Sequence, residues 1–273
     1  MSSPETSAAT TPPRTWRRPP QIKDPRLRWA LYIGSVAYLI LALSSVEIDF
    51  VRLVEGATRA KSLFAGVLAP DFVTRWTDIR AGFAESLTMT VVSTAFGVLL
   101  SIPLGLGAAR NLAWRPIYLV CRSILAVSRA FHELIVAVLF VAMFGFGPFA
   151  GMMTLVVSTV GFLGKLLAEE VESIEWNAVE AVTSTGASWL QRVVYAVVPQ
   201  VLSRFLGLTL YRLDINFRES AVIGLVGAGG IGATLTTAFD RYEFDAVAAI
   251  LLMIIGAVLC AEYVASAIRK RVL

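Results

Sequence analysis

Six stretches of the chain carry long runs of apolar residues with few charges, at about 29–46, 85–109, 117–144, 149–168, 201–225 and 245–268. A helix needs about 20 such residues to cross a bilayer core, because it rises 1.5 Å per residue and must satisfy every backbone group internally. The pattern therefore predicts an all-α membrane protein of six transmembrane helices. The third and fifth runs are impure. The third contains Arg122, Arg129, His132 and Glu133, and the fifth Arg212, Asp214, Arg218 and Glu219. Charge at depth is costly, so these helices are expected to face protein or water. Arg129/Glu133 and Asp214/Arg218 are spaced four apart, which predicts pairs on one helix face.

Composition sharpens this picture. Of 273 residues, 56% are hydrophobic and 16% charged, with a mean hydropathy of +0.70; a soluble domain carries about 25% charged residues. The net charge of +4 is not spread as a nucleic-acid surface would need. Arg14, Arg17, Arg18, Lys23, Arg26 and Arg28 precede the first run, and Arg269, Lys270 and Arg271 follow the last. By the positive-inside rule both termini are expected in the cytoplasm, with 169–199 inside and 47–84, 145–148 and 226–244 outside. Residues 1–28, rich in Ser, Thr, Pro and Arg, read as a disordered tail, and 29–273 as the membrane domain. Leu63–Leu68 is expected at the interface. Cys121 and Cys260 read as two buried thiols, and with His132 as the single histidine no metal site is expected.

Within 169–199, Asn177 and Glu180 have capping-box spacing, predicting a helix over about 178–185. Gly186 suits a left-handed position after it. Ser188 and Gln191 predict a second capping box, opening a helix to Val198 that Pro199 ends or succeeds. A small helix–turn–helix of this kind can dock into a groove of a soluble partner or serve as a plain connector. The six residues Gly227–Gly232 fit G-x-G-x-x-G but lack the preceding strand of a dinucleotide fold. They read as a turn or re-entrant loop whose N–H groups favour an anion.

Glu180-Ala181-Val182, Gly186 four residues on, and Val198-Pro199 resemble the EAA motif of ABC importer permeases, departing from it at Val182, Ala196 and Val198. The stretches 102–111, 145–172 and 206–235 are similar to phosphonate ABC transporter permeases, with His132 standing where that family has proline. The resemblance implies the type I importer permease fold and a bacterial inner-membrane location. It implies transport of phosphonate, phosphate or a phosphate ester by alternating access. It also implies three kinds of protein partner: an ATP-binding cassette subunit, an extracytoplasmic binding protein and a second permease subunit, identical or paralogous. Glu180, Ala181, Val182 and Gly186 would then couple to the ATPase. Arg129, Glu133, Arg212, Arg218, Glu219, Gly229 and Gly230 are the candidates for the translocation path, since arginine matches phosphorus oxyanions bidentately. No P-loop occurs in the sequence, so no cofactor is expected on this chain and ATP hydrolysis would fall to the partner. A permease for another solute such as methionine, and an ion-coupled secondary transporter, are the rival readings.

Overall fold

The computed structural model describes residue 22 and residues 24–45 and 50–272. Most of the expected tail, residues 1–21 and 23, lies outside them. The chain divides into two compact units, 1–58 and 59–273. In the first, Asp24 caps α1 (Pro25–Ser44) by accepting from the Arg26 N–H, and the helix shows apolar side chains on all sides. An all-round apolar helix of 20 residues fits a lipid environment. The next helix, α2 (Phe50–Leu68), begins in the first unit and ends in the second. The expected outer loop 47–84 is thus largely helical, since α2 is followed by two turns of α3 before residue 85.

The second unit is built on α3 (Trp76–Gly107) and α6 (Pro148–Glu172), which run parallel along each other. Small residues set their separation. A Cβ added to Gly97 would stand 2.3 Å from Thr159 Cγ2, so only glycine permits this approach. Around them lie α4 (Arg115–Ala130), α5 (Glu133–Phe144), α9 (Val198–Ile223), α10 (Gly230–Asp240) and α11 (Phe244–Val272). Ser128 of α4 sits against Gly161 and Leu125 against Gly164, so α4 runs antiparallel to α6. Ion pairing fixes one rim: Arg75, before α3, donates to both Glu243 carboxylate oxygens ahead of α11, one at 3.0 Å, and these bonds hold the Glu243 carboxyl below its ordinary range.

The expected single helix over 117–144 is instead α4 and α5, bent by 94°. Phe131 and His132 are extended, and His132 caps α5 by accepting the Leu134 N–H on Nδ1 at 3.3 Å. The break also undoes the expected Arg129/Glu133 pair, because the two residues now belong to different helices. Asp214 and Arg218 do pair, at 3.0 Å on α9. The thiols are not both buried as expected: Cys121 is half-buried and Cys260 exposed, because α11 turns that face outward.

At Gly227–Gly232 the chain makes a 3-10 turn over Gly224–Val226 and then α10. The N–H groups expected to be open to an anion are already taken. Glu85 Oε2 accepts from Gly230 N at 3.0 Å and Ser86 Oγ from Ile231 N at 2.9 Å. A carboxylate on a helix N-terminus is favourable. Glu85→Ala is expected to destabilise the purified chain by about 1–2 kcal/mol, and Glu85→Gln by less, because it keeps an acceptor; thermal unfolding in detergent measures both.

Candidate functional site

Two regions gather the chemistry. The first is a polar network at the centre of the α6–α9 contact. Arg212 of α9 is 3% exposed. Its Nη2 donates to Ser158 Oγ at 2.7 Å and Glu219 Oε2 at 3.1 Å, and its Nε donates to Thr159 Oγ1 at 3.3 Å. Ser158 Oγ in turn donates to Glu133 Oε1 at 2.7 Å, at the start of α5. One turn beyond Arg212, Asn216 Nδ2 donates to Thr159 Oγ1 at 2.9 Å and to Thr94 Oγ1 of α3 at 2.8 Å. Four helices are thereby tied through side chains in an otherwise apolar interior. Buried polar groups hold together only when their partners are present, so this network sets a single arrangement of those helices.

The network opens on a cleft of about 340 Å³ whose charged and polar lining is Ser128, Arg129, His132, Glu133, Ser158 and Arg212. The break between α4 and α5 lines it, with residues 129–133 along one wall. Phe162 lies beneath the Arg212 guanidinium, 5.5 Å from its ring centroid. Arg212 commits its Nε and Nη2 to its neighbours. Arg129 is exposed in the cleft and, among the described residues, has no carboxylate within ion-pair distance. An anion entering the cleft would meet Arg129 as the guanidinium without a carboxylate partner.

Of the sequence-derived path candidates, the structure brings Arg129, Glu133, Arg212 and Glu219 together. Arg218 is elsewhere on α9, bound to Asp214 beside apolar grooves. Gly229 and Gly230 pack against the α5–α6 hairpin and Glu85, away from the cleft. Ser158, Thr159, Asn216 and Thr94 went unflagged in the sequence. Asn216 carried a usable signal, an amide four residues from an arginine inside an apolar run.

The second region is the α7–α8 loop. Helix α7 (Trp176–Ser184) starts earlier than expected, with Glu175 at its cap position, and the Asn177–Glu180 capping box does not form. The anchor is tertiary: Glu175 N–H donates to Gln200 Oε1 at 3.0 Å, and Gln200 Nε2 donates to Ala196 O at 2.8 Å. Val179 and Val182 root the helix on Leu163, Leu167 and Val171 of α6. Glu180 and Ala181 are exposed. Gly186 has φ of +81°, and its N–H donates to Thr183 O at 3.0 Å. The Ser188–Gln191 capping box forms and opens α8 (Trp189–Arg192). Instead of ending at Val198, the helix passes through a π turn (Val193–Val197) straight into α9. Trp189, Leu190 and Tyr195 are exposed, the last at 71%. An exposed acidic and aromatic face on a rooted short helix pair is suited to docking.

Residues 101–273 match the model of the family described as binding-protein-dependent transport system inner membrane component. The chain is 36% identical over 250 residues to the phosphite transport system permease protein PtxC of Stutzerimonas stutzeri, covering 89% of this chain and 90% of that one. It is also 36% identical over 251 residues to the phosphate-import permease protein PhnE of Mycolicibacterium smegmatis, covering 92% of this chain but 47% of that relative, so it spans about half of the latter's length. Among solved structures, a chain of the inward-facing MetNI methionine ABC transporter superposes with a TM-score of 0.64 at 23% identity, over 71% of this chain and 96% of that one. A chain of a bacterial alginate ABC transporter superposes at 0.58 and 16% identity, over 92% and 97%. At these identities the two structures speak for the fold.

Proposed function

The chain belongs to the family of binding-protein-dependent transport system inner membrane components, and from that premise we propose that it is the permease subunit of an ABC importer for a phosphorus oxyanion: phosphonate, phosphite or phosphate. The substrate class is carried by the extended likeness to PtxC, which spans nearly the whole of both chains. The cationic cleft at Arg129 supports it, because a guanidinium offers paired N–H donors to such oxyanions.

In this reading both termini lie in the cytoplasm, and so does the α7–α8 loop. A separate ATP-binding subunit docks on Glu180, Ala181 and the Gly186 turn. A binding protein delivers the anion from the other face, and a second permease subunit completes the pathway. The helices tied by Arg212 and Asn216 move as one body between outward and inward arrangements, since packed interiors switch between discrete states. The chain contributes no chemistry to ATP; it binds, orients and passes the anion.

The test is uptake of labelled phosphite, phosphate and methylphosphonate by cells expressing the chain with its ATP-binding and binding-protein partners. Uptake is expected to require all three proteins and to stop on ATP depletion. Uptake that survives ATP depletion but stops when the membrane potential is collapsed would identify an ion-coupled transporter instead. Uptake of methionine in place of the oxyanions would identify a permease for another solute.

A further inference from the structure

Beyond the Arg212 cleft, α4 and α6 enclose a second one of about 270 Å³, whose charged lining is Arg122, Arg129 and Lys165. Arg129 lines both clefts. The spacing is regular. Arg122 and Arg129 are seven residues apart on α4, and Ser158, Lys165 and Glu172 are seven apart on α6, so each step is two turns, about 10 Å, on nearly one face. Because the helices are antiparallel, the basic side chains descend in order from Arg212 through Arg129 to Lys165 and Arg122. The series ends at Glu172, four residues before α7.

The cations differ in how firmly they are held. Arg212 is buried and bonded to Glu219, Ser158 and Thr159. Lys165 meets Glu169 at 3.5 Å and Arg122 meets Glu172 at 3.3 Å, with all four side chains between 31% and 44% exposed. Half-exposed pairs of this kind are weak, about 0–1 kcal/mol, and exchange readily. A charge such as Lys165, about two turns inside the end of α6, does not face hydrocarbon without a large cost, so this groove faces water or protein. Resting on the oxyanion reading above and extending it, we propose that Arg129 hands the anion from the Arg212 cleft to Lys165 and Arg122, which form the stretch of the route that leads to the α7 end of the bundle. At Lys165 and Arg122 the anion replaces a weak carboxylate contact, so neither binds tightly enough to trap it.

The experiment uses the assembled importer in proteoliposomes, with saturating binding protein and labelled phosphate, phosphite and methylphosphonate. Arg129→Gln and Lys165→Gln are expected to lower maximal uptake about tenfold, with KM unchanged because the binding protein sets it. Lys165→Arg should restore the rate. Both glutamine variants remaining within about twofold of the parent, while the parent transports an oxyanion normally, would overturn this route and leave the transport reading standing. A loss confined to bilayers containing anionic lipid would make Lys165 a headgroup ligand and also overturn it. A parent that carries none of the three anions defeats the transport reading, and this inference with it.

Discussion

Arg212→Leu is expected to unfold the purified chain at a markedly lower temperature and to abolish uptake. The substitution strands Glu219, which now accepts from the Arg212 guanidinium at 3.1 Å, and removes the donor from Ser158 at 2.7 Å. Leaving one member of a fully buried pair uncompensated costs about 3–5 kcal/mol, and stranding Glu219, with its side chain 23% exposed, costs less than that. The double variant Arg212→Leu/Glu219→Leu removes the stranded charge together with its partner. It should recover most of the stability, because hydrophobic replacement of a buried pair is often neutral. It should not recover uptake, because the cleft has lost the guanidinium behind Ser158 and Arg129. Thermal unfolding in detergent and oxyanion uptake, read on the parent, the single variant and the double variant, separate the two roles. A single variant as stable as the parent would show that Glu219 does not depend on Arg212.

Gly186→Pro should leave the chain inserted and folded while nearly eliminating transport. Two effects add at this residue. Proline fixes φ near −65°, whereas Gly186 stands at +81°, and proline has no N–H to donate to Thr183 O. The turn between α7 and α8 would have to rearrange at a cost of about 3 kcal/mol. At about 1.4 kcal/mol per decade, that lowers the population of the docked geometry about a hundredfold. Uptake is expected to fall by that order, while ATP hydrolysis by the partner subunit loses its response to the binding protein. Gly186→Ala is a useful control. An added Cβ meets nothing within 4 Å, so only the backbone penalty of about 1 kcal/mol remains. Normal transport by the proline variant would remove the α7–α8 turn from the drive surface.

Sequence and structure agree where a physical signal is long. Runs of about 20 apolar residues had few alternatives to a membrane helix, and α3, α6, α9 and α11 fall where hydropathy placed them. The 117–144 run misled because its apolar character continues through the break, and the 94° bend is set by two extended residues. His132 was the visible sign there, a side-chain acceptor able to cap a new helix. Short signals depended on tertiary partners. The Ser188–Gln191 box formed, whereas Asn177–Glu180 lost to Gln200, which binds the Glu175 N–H and moves the start of α7 forward. The polar network was hidden for a different reason. Thr88, Thr90 and Thr154 bond the carbonyls of their own helices, and Thr159, of the same type in the same kind of segment, bonds across to Arg212 and Asn216. Only the neighbour decides which, and hydropathy does not encode the neighbour.

The helical run from Trp189 through the π turn to Ile223 is unbroken, and this makes α8 and α9 a single strut. Trp189 and Leu190 stand about 34 Å from Arg212 along this run at 1.5 Å per residue, with the π turn between them. On the proposed reading, in which a partner docks on α7 and α8, motion there and displacement of the guanidinium are geared through this run, and its one irregular segment is the π turn at Val193–Val197.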